Sequence, residues 1–451
     1  MRSWCKRGAT RSQTLVRLFA AFVIATVLIV AALPTFLRTW SGRKNPDDFA
    51  VVYSAAQAMW NHVDVYTGTS GMYIYSPFLA FIFQPLAALP ERAAAIVWLA
   101  LSLLIIFVAS IIAAQKVTDS WHSSELKPDP SVPWLISAVA LLLSFEKIRS
   151  DFTLGQTDCL IMIGLVWVLS SIDRPWLGGI AVGATANIKY LALIFVPYFV
   201  IKRNYRAAST SIVSFLLFFM LPALEVGLRL IKTYAINAIA VLAKVVNTPE
   251  LIGLTAPTRT DKPVVNSITW DHSVSLTSSI LRLTRSHGVS DFIASALIVV
   301  LFATVVTSIV LIGRHNSVDL LKPTTAKSAP RREQTATIDW AALIVLALVF
   351  GPQTTARHMI LLLLVYTVGM GILLAQKRNG ARILLIASMI VTAVALSLPF
   401  RETGLHPWLM SLKLIGAASW CALLLILLIA WLGTHAISEI PTVTTIASKR
   451  R

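Results

Sequence analysis

Two adjacent carboxylates, Asp47 and Asp48, open a polar stretch that follows the first long apolar run of this 451-residue chain. Tyr53, His62, Asp64, Tyr66, Tyr73 and Tyr75 come after them in the same stretch. A carboxylate at the mouth of a helical bundle can act as general base on an acceptor hydroxyl. An Asp before Phe49-Ala50-Val51 can equally be a solvated helix cap. The tyrosines can stack on or hydrogen-bond a sugar, or form an interfacial aromatic belt.

Three further groups carry possible chemistry. Lys189 lies beside Asn187 and Tyr190 within an apolar region. An ammonium there is costly without an anion. A lipid phosphate would supply one, and so would a protein carboxylate such as Asp158 or Glu146. The stretch from Phe145 to Asp158 contains Glu146, Arg149, Gly155 and Gln156. Gly155 ends a loop, and Gln156 and Asp158 open the next helix, whose N-terminus can hold an anion or a sugar hydroxyl. Arg149 can add a phosphate contact. Finally, Gly351-Pro352 marks a break between two apolar runs. Arg357 and His358 follow it.

The elements that must position these residues are membrane helices. The chain is 56% hydrophobic and 13% charged. Soluble domains carry about a quarter charged residues, so this composition marks a polytopic membrane protein. The net charge of +18 fits cytoplasmic loops facing anionic lipid better than nucleic-acid binding. Cys5, Cys159 and Cys421 are far apart, which argues against a disulfide framework or a metal cluster. A full span needs about 20 apolar residues. Segments 15–39, 93–115, 207–230, 290–313, 357–376 and 408–432 meet that length, and 132–145, 158–172, 338–354 and 382–399 are shorter. Gly178, Gly179, Gly183, Asn187, Lys189 and Pro197 interrupt 176–201, which predicts two short helices meeting inside the membrane.

Charge then selects the topology. Basic residues before span one place the N-terminus in the cytoplasm, with no cleaved leader expected. Only if 176–201 is a hairpin do Lys202, Arg203, Arg206, Arg314, Lys322, Lys377, Arg378 and Arg382 all fall on that same side. This predicts an all-α protein with about twelve transmembrane or half-spanning helices and both termini cytoplasmic. Segments 40–92, 146–157, 231–289, 353–358 and 400–407 are then external. Pro77–Leu89, 234–245 and 274–283 are expected along the interface, and 314–337 as a flexible cytoplasmic connector.

No Gly-rich phosphate loop, zinc-type His pair or nucleotide-binding unit is present. A sugar transferase on the outer face would then need a donor carried in the bilayer. No Asp-x-Asp occurs in the first external loop, so no metal site and no cofactor are expected.

Together these segments resemble glycosyltransferase family 87, the polyprenol-phosphate-mannose-dependent mannosyltransferases, within the C-type membrane glycosyltransferases. Asp48-Phe49-Ala50-Val51-Val52-Tyr53 resembles the family's opening acidic motif. Tyr75-Ser76-Pro77-Phe78 and Gln84 through Pro90 resemble the Tyr-Pro-Pro and Pro-Leu stretch that follows. Gly155-Gln156-Thr157-Asp158 is similar to Gly-Gln-x-Asn, with Asp for Asn. Gly179 through Lys189 resembles the Gly-rich helix ending in Lys, and Asn266-Ser267 an Asn-Gln-Ser element. Gly351 to His358 keeps the length of Ser-Pro-x-Ser-Trp-x-His-His, with Thr355 and Arg357 replacing its Trp and first His.

The resemblance covers most of the chain as a single domain, 1–451, and implies a metal-independent inverting transfer. The resemblance implies Asp48 as the base, and Lys189, Arg149, Arg357 and His358 are candidates for the donor phosphate. Asp47, Tyr53, Tyr75, Gln156, Asp158 and Asn266 are candidates for substrate contacts. The implied partners are a polyprenyl-phosphate sugar, a lipid or glycan acceptor and membrane lipid, with no nucleic acid. The implied location is a bacterial plasma membrane. The rival readings are a secondary transporter, for which functional carboxylates would lie mid-helix, and a lipid-linked glycan ligase or polymerase.

Overall fold

The computed structural model describes residues 2–68, 73–122, 129–246, 268–269, 272–322, 332–352, 354–397 and 411–439. Among them the secondary structure is helical, apart from one isolated bridge between Ser273 and Thr355. Among the described residues, seven helices are long and apolar enough to cross a membrane. They are α1 (Arg2–Trp40), α4 (Glu91–Trp121), α13 (Asp291–His315), α14 (Arg332–Phe350), α15 (Leu362–Ala375, with the 3-10 turn His358–Leu361 before it), α16 (Asn379–Ser397) and α17 (Ala417–Ser438). Helix α15 is the core, with Leu362 through Val368 each at most 1% exposed. Helix α13 lies at the periphery and presents Phe292, Val299 and Val300 outward.

Shorter helices complete the bundle. They are α5 (Val132–Leu143), α7 (Asp158–Ser170), α8 (Pro175–Ala186), the 3-10 turn Tyr190–Ile194 running into α9 (Phe195–Ile201), and α10 (Tyr205–Met220). Segment 176–201 is a hairpin, as the glycines and the distribution of basic residues predict. At its tip, the Lys189 ammonium reaches Asp158 at the start of α7. At its foot, Lys202 pairs with Asp339, about two turns into α14, at 2.7 Å, and also donates to the Leu320 carbonyl. Arg332 pairs with Asp173 at that same end. So α7 runs away from the tip, α8 returns to it, and the 3-10 turn with α9 descends again.

Helix α2 (Asp47–Trp60), α3 (Pro77–Ala87) and α6 (Phe145–Leu154) cap the tip end without spanning. Ser76 caps α3 by accepting from the Phe78 N–H at 3.1 Å, with Pro77 at its first position. Two predicted spans are corrected. Segment 207–230 is not one span: the chain bends by 100° between Met220 and Ala223, around Pro222. The following helix α11 (Ala223–Val246) carries Gly227 at φ +76° as a further break. The last span is α17, beginning at Ala417 rather than 408, and residues 398–410 lie outside the described residues. The start of the 314–337 connector is packed, with Val318 and Leu320 buried.

Candidate active site

Helix α2 begins at Asp47, and its register separates the two carboxylates. Asp47 points outward and pairs with Lys44 at 3.0 Å, both more than half exposed. Asp48 turns inward, where Phe49 is fully buried one residue on. Asp48 Oδ2 accepts from Arg357 Nη1 at 2.5 Å and from Gln156 Nε2. No described residue donates to Oδ1. The Gln156 amide continues inward: its Oε1 accepts from Lys189 Nζ at 3.2 Å. Lys189 Nζ also donates to Asp158 Oδ1 at 2.8 Å. Four elements distant in sequence thus meet in one polar chain, Arg357–Asp48–Gln156–Lys189–Asp158.

Local sequence explains why they meet. Gly155 closes α6 in the left-handed region, at φ +68°. A Cβ there would lie 2.6 Å from Phe49 Cβ and 2.9 Å from Pro46 Cβ, so only glycine lets this turn press against the start of α2. Trp98 Nε1 holds the Gly155 carbonyl at 3.3 Å. Gly155→Ala is therefore expected to lower both melting temperature and activity. The left-handed conformation alone costs about 1–2 kcal/mol, and the contact must also displace Asp48. A thermal melt with a transfer assay checks this; wild-type values for both would mean the turn does not set the position of Asp48.

The turn that carries Arg357 and His358 is held by hydroxyls on and before α12 (Leu276–Ser286). Val274 N–H donates to the Thr354 carbonyl at 2.8 Å, Thr277 Oγ1 to Phe350 at 2.8 Å, and Ser278 Oγ to Pro352 at 3.1 Å. His358 Nδ1 accepts the Thr355 N–H at 3.2 Å, which leaves Nε2 as the protonated nitrogen of the neutral ring. These serines and threonines were not singled out in the sequence. The run Ser273-Val274-Ser275-Leu276-Thr277-Ser278-Ser279 is its only trace there.

The other sequence candidates divide. Tyr75 stands at the site: the charges of Lys189, Asp48, Asp158 and Arg357 all act on its hydroxyl, which burial holds above its ordinary range. Tyr53 is occupied elsewhere, donating to the Leu89 carbonyl at 2.7 Å and accepting from Gln57. Tyr73 donates to the Ser76 carbonyl, and Tyr66 stacks on Tyr234. Arg149 is engaged by Glu146 at 2.8 Å on the half-exposed side of α6, and the charges that act most on Asp48 are those of Arg357 and Lys189. Asn266 lies outside the described residues. Asp151, which the sequence did not single out, is fully buried behind Gln156, with both carboxylate oxygens unpartnered.

Burial pushes the Asp48 carboxyl above its ordinary range, and this outweighs the lowering by Arg357, Lys189 and the Gln156 hydrogen bond. A cleft of about 580 Å³ opens beside the polar chain. Asp158, Lys189 and His358 line its inner end, and Ile298, Phe302, Leu346 and Phe350 its apolar walls. Its mouth is therefore between α13, α14 and the hairpin. Among the described residues, no group of three or more His, Cys, Asp or Glu converges.

The family model for Glycosyltransferase family 87 matches residues 73–248. A polyprenol-phosphate-mannose-dependent alpha-(1-2)-phosphatidylinositol mannoside mannosyltransferase of Mycobacterium tuberculosis is 30% identical over 149 residues, 32% of this chain and 34% of that protein. A polyprenol-phosphate-mannose-dependent alpha-(1-2)-phosphatidylinositol pentamannoside mannosyltransferase of the same species is 28% identical over 155 residues, 34% of each chain. A third relative, from Mycolicibacterium smegmatis, is 28% identical over 160 residues, 33% of this chain and 36% of its own. The chain thus aligns with about a third of the length of these relatives. No solved structure matches it.

Proposed function

We propose, for a chain whose residues 73–248 match the model for glycosyltransferase family 87, that it transfers a hexose, mannose, from a polyprenyl-phosphate donor to a lipid-borne glycan acceptor on the non-cytoplasmic face. One observation carries the reading: the partly buried Lys189 ammonium faces the Asp48–Gln156 pair on one side and an apolar cleft on the other. That is the arrangement a sugar phosphate on a long lipid needs. The phosphate meets Lys189, the isoprenoid lies along Ile298, Phe302 and Phe350, and the sugar extends toward Asp48. The names of the relatives support mannose as the sugar and a phosphatidylinositol mannoside as the acceptor class.

In this mechanism the acceptor hydroxyl gives its proton to Asp48, and its oxygen attacks the anomeric carbon opposite the phosphate. The anomeric carbon–oxygen bond breaks, and polyprenyl phosphate leaves with the bonding pair. Lys189 stabilises that leaving charge, and Arg357 and His358 flank it. The phosphate leaves without a proton, so one carboxylate suffices, whereas glycoside hydrolases use two. A transporter would place its working carboxylates mid-helix. The entry of Asp48, from a non-spanning helix, into the Lys189 chain favours the transferase. A photo-crosslinker at Ile298 with labelled polyprenyl phosphate tests the cleft. Labelling that unlabelled polyprenyl phosphate competes away is expected, and no specific labelling would overturn the assignment.

Orientation follows from the basic residues at the foot of the hairpin. Single cysteines at His62 and Arg378 report it. An impermeant thiol reagent applied to intact cells should label position 62 and not 378; the reverse would invert the protein and remove the lipid-linked donor from the argument. Metal independence is also proposed. Asp47 and Asp48 diverge to separate cationic partners, whereas a divalent ion wants converging oxygens. Transfer should survive EDTA; loss restored by Mg²⁺ or Mn²⁺ would refute this.

A further inference from the structure

We infer that Gln156 is a positioning residue that ties the donor site to the base rather than a ligand of the substrate; this rests on the transferase reading above. Its side-chain amide is held at both ends. Nε2 donates to Asp48 Oδ2, and Oε1 accepts from Lys189 Nζ at 3.2 Å. Only one amide orientation satisfies a carboxylate on one side and an ammonium on the other. The backbone is fixed as well, since the Gln156 N–H donates to the Asp151 carbonyl at 3.1 Å, directly after the left-handed Gly155. Gln156 itself is 4% exposed, which leaves its amide little surface for a sugar.

The consequence falls on Asp48. Gln156 and Arg357 both occupy Oδ2, so the carboxylate is clamped by one oxygen and presents the other, Oδ1, to the acceptor hydroxyl. The same amide makes Lys189 and Asp48 neighbours through one bridging group. An anion arriving at Lys189 therefore alters the hydrogen bond that orients the base. The charged and titratable groups facing Asp48 are Arg357 from the turn before α15, Lys189 from the hairpin tip, Asp151 from α6, Tyr75 from the turn before α3 and Asp47 from its own helix. His358 and Asp158 stand around Lys189 at the far end of the bridge. Gln156 is the amide that bridges Asp48 and Lys189 among them.

Two variants test this, assayed with radiolabelled polyprenyl-phosphate mannose and a cell lipid extract. Gln156→Met removes both hydrogen bonds at similar volume. Its kcat should fall by about 10²-fold, the cost of a misplaced reacting group, with the donor KM unchanged. Gln156→Glu keeps the shape and places a negative charge against Asp48. Asp48 then holds its proton to higher pH, so the acid limb of the kcat profile should move upward, with activity regained as pH rises. Thermal melts accompany both, and the isosteric Glu variant decides the matter if the Met variant does not fold. A raised donor KM with kcat kept would make Gln156 a substrate ligand and overturn the inference. An unmoved acid limb in Gln156→Glu would overturn it too. Either result leaves the transferase reading standing, whereas no transfer by the unaltered protein removes both.

Discussion

Asp48→Asn should abolish most transfer while leaving the fold and donor binding in place. Asparagine keeps the shape of the side chain and can still meet Gln156 and Arg357, but it cannot accept a proton. Loss of a general base costs about 10²–10⁴-fold in rate. Asp47→Asn should cost far less, because Asp47 is more than half exposed and, among the described residues, pairs only with Lys44. Initial rates at saturating donor, with melts as a control, make the comparison. If Asp47→Asn is the inactive variant, the register of α2 is misassigned; if both stay active, Asp48 is a structural ion-pair partner only. The pH profile carries a second check. The base must be ionised, and burial raises its pKa. Activity should therefore fall, as pH drops, at a point above the ordinary aspartate range near 3.9.

Lys189→Met has the second largest expected effect, and it falls on two properties at once. Lys189 is the phosphate partner in the proposed mechanism, so donor binding should be lost. It also neutralises Asp158, whose side chain is only 1% exposed and whose other oxygen, Oδ2, is already unpartnered. Removing one member of a buried pair costs about 3–5 kcal/mol because the remaining charge is stranded. A substantially lower melting temperature is expected for the single variant. In Lys189→Met with Asp158→Asn, the stranded charge is gone, so stability should largely return while donor binding does not. Recovery of both in the double variant would reduce Lys189 to a structural cation. A fully stable single variant would deny the ion pair.

Much of this arrangement was legible in the sequence, for identifiable reasons. The hairpin was readable because Gly178, Gly179, Gly183, Asn187 and Lys189 break an apolar run, and because only a hairpin puts every later basic loop on one side. Asp48 was separable from Asp47 because it directly precedes the aromatic-apolar run and is the residue that the family resemblance picks out. The 100° bend was not readable: apolar content reports burial in lipid or protein and says nothing of direction, and Pro222 alone does not distinguish a kink from a turn. The Arg357–Asp48 contact spans 309 residues, beyond any local pattern. It also gives Arg357 a protein partner, where the sequence suggested only a phosphate. Lys202 was counted as a loop charge favouring the cytoplasm, yet it is 2% exposed and paired with Asp339. A lysine seven residues beyond Phe195 carries no mark that tells a loop from a buried foot.

The central claim is transfer from a lipid-linked donor, and one measurement addresses it most directly. Purified protein in lipid nanodiscs is incubated with radiolabelled polyprenyl-phosphate mannose and a lipid extract, in parallel with Asp48→Asn. A new labelled lipid that forms with the unaltered protein and not with the variant is the predicted result. Equal labelling by both proteins, or no labelled product at all while the donor still binds, would contradict it.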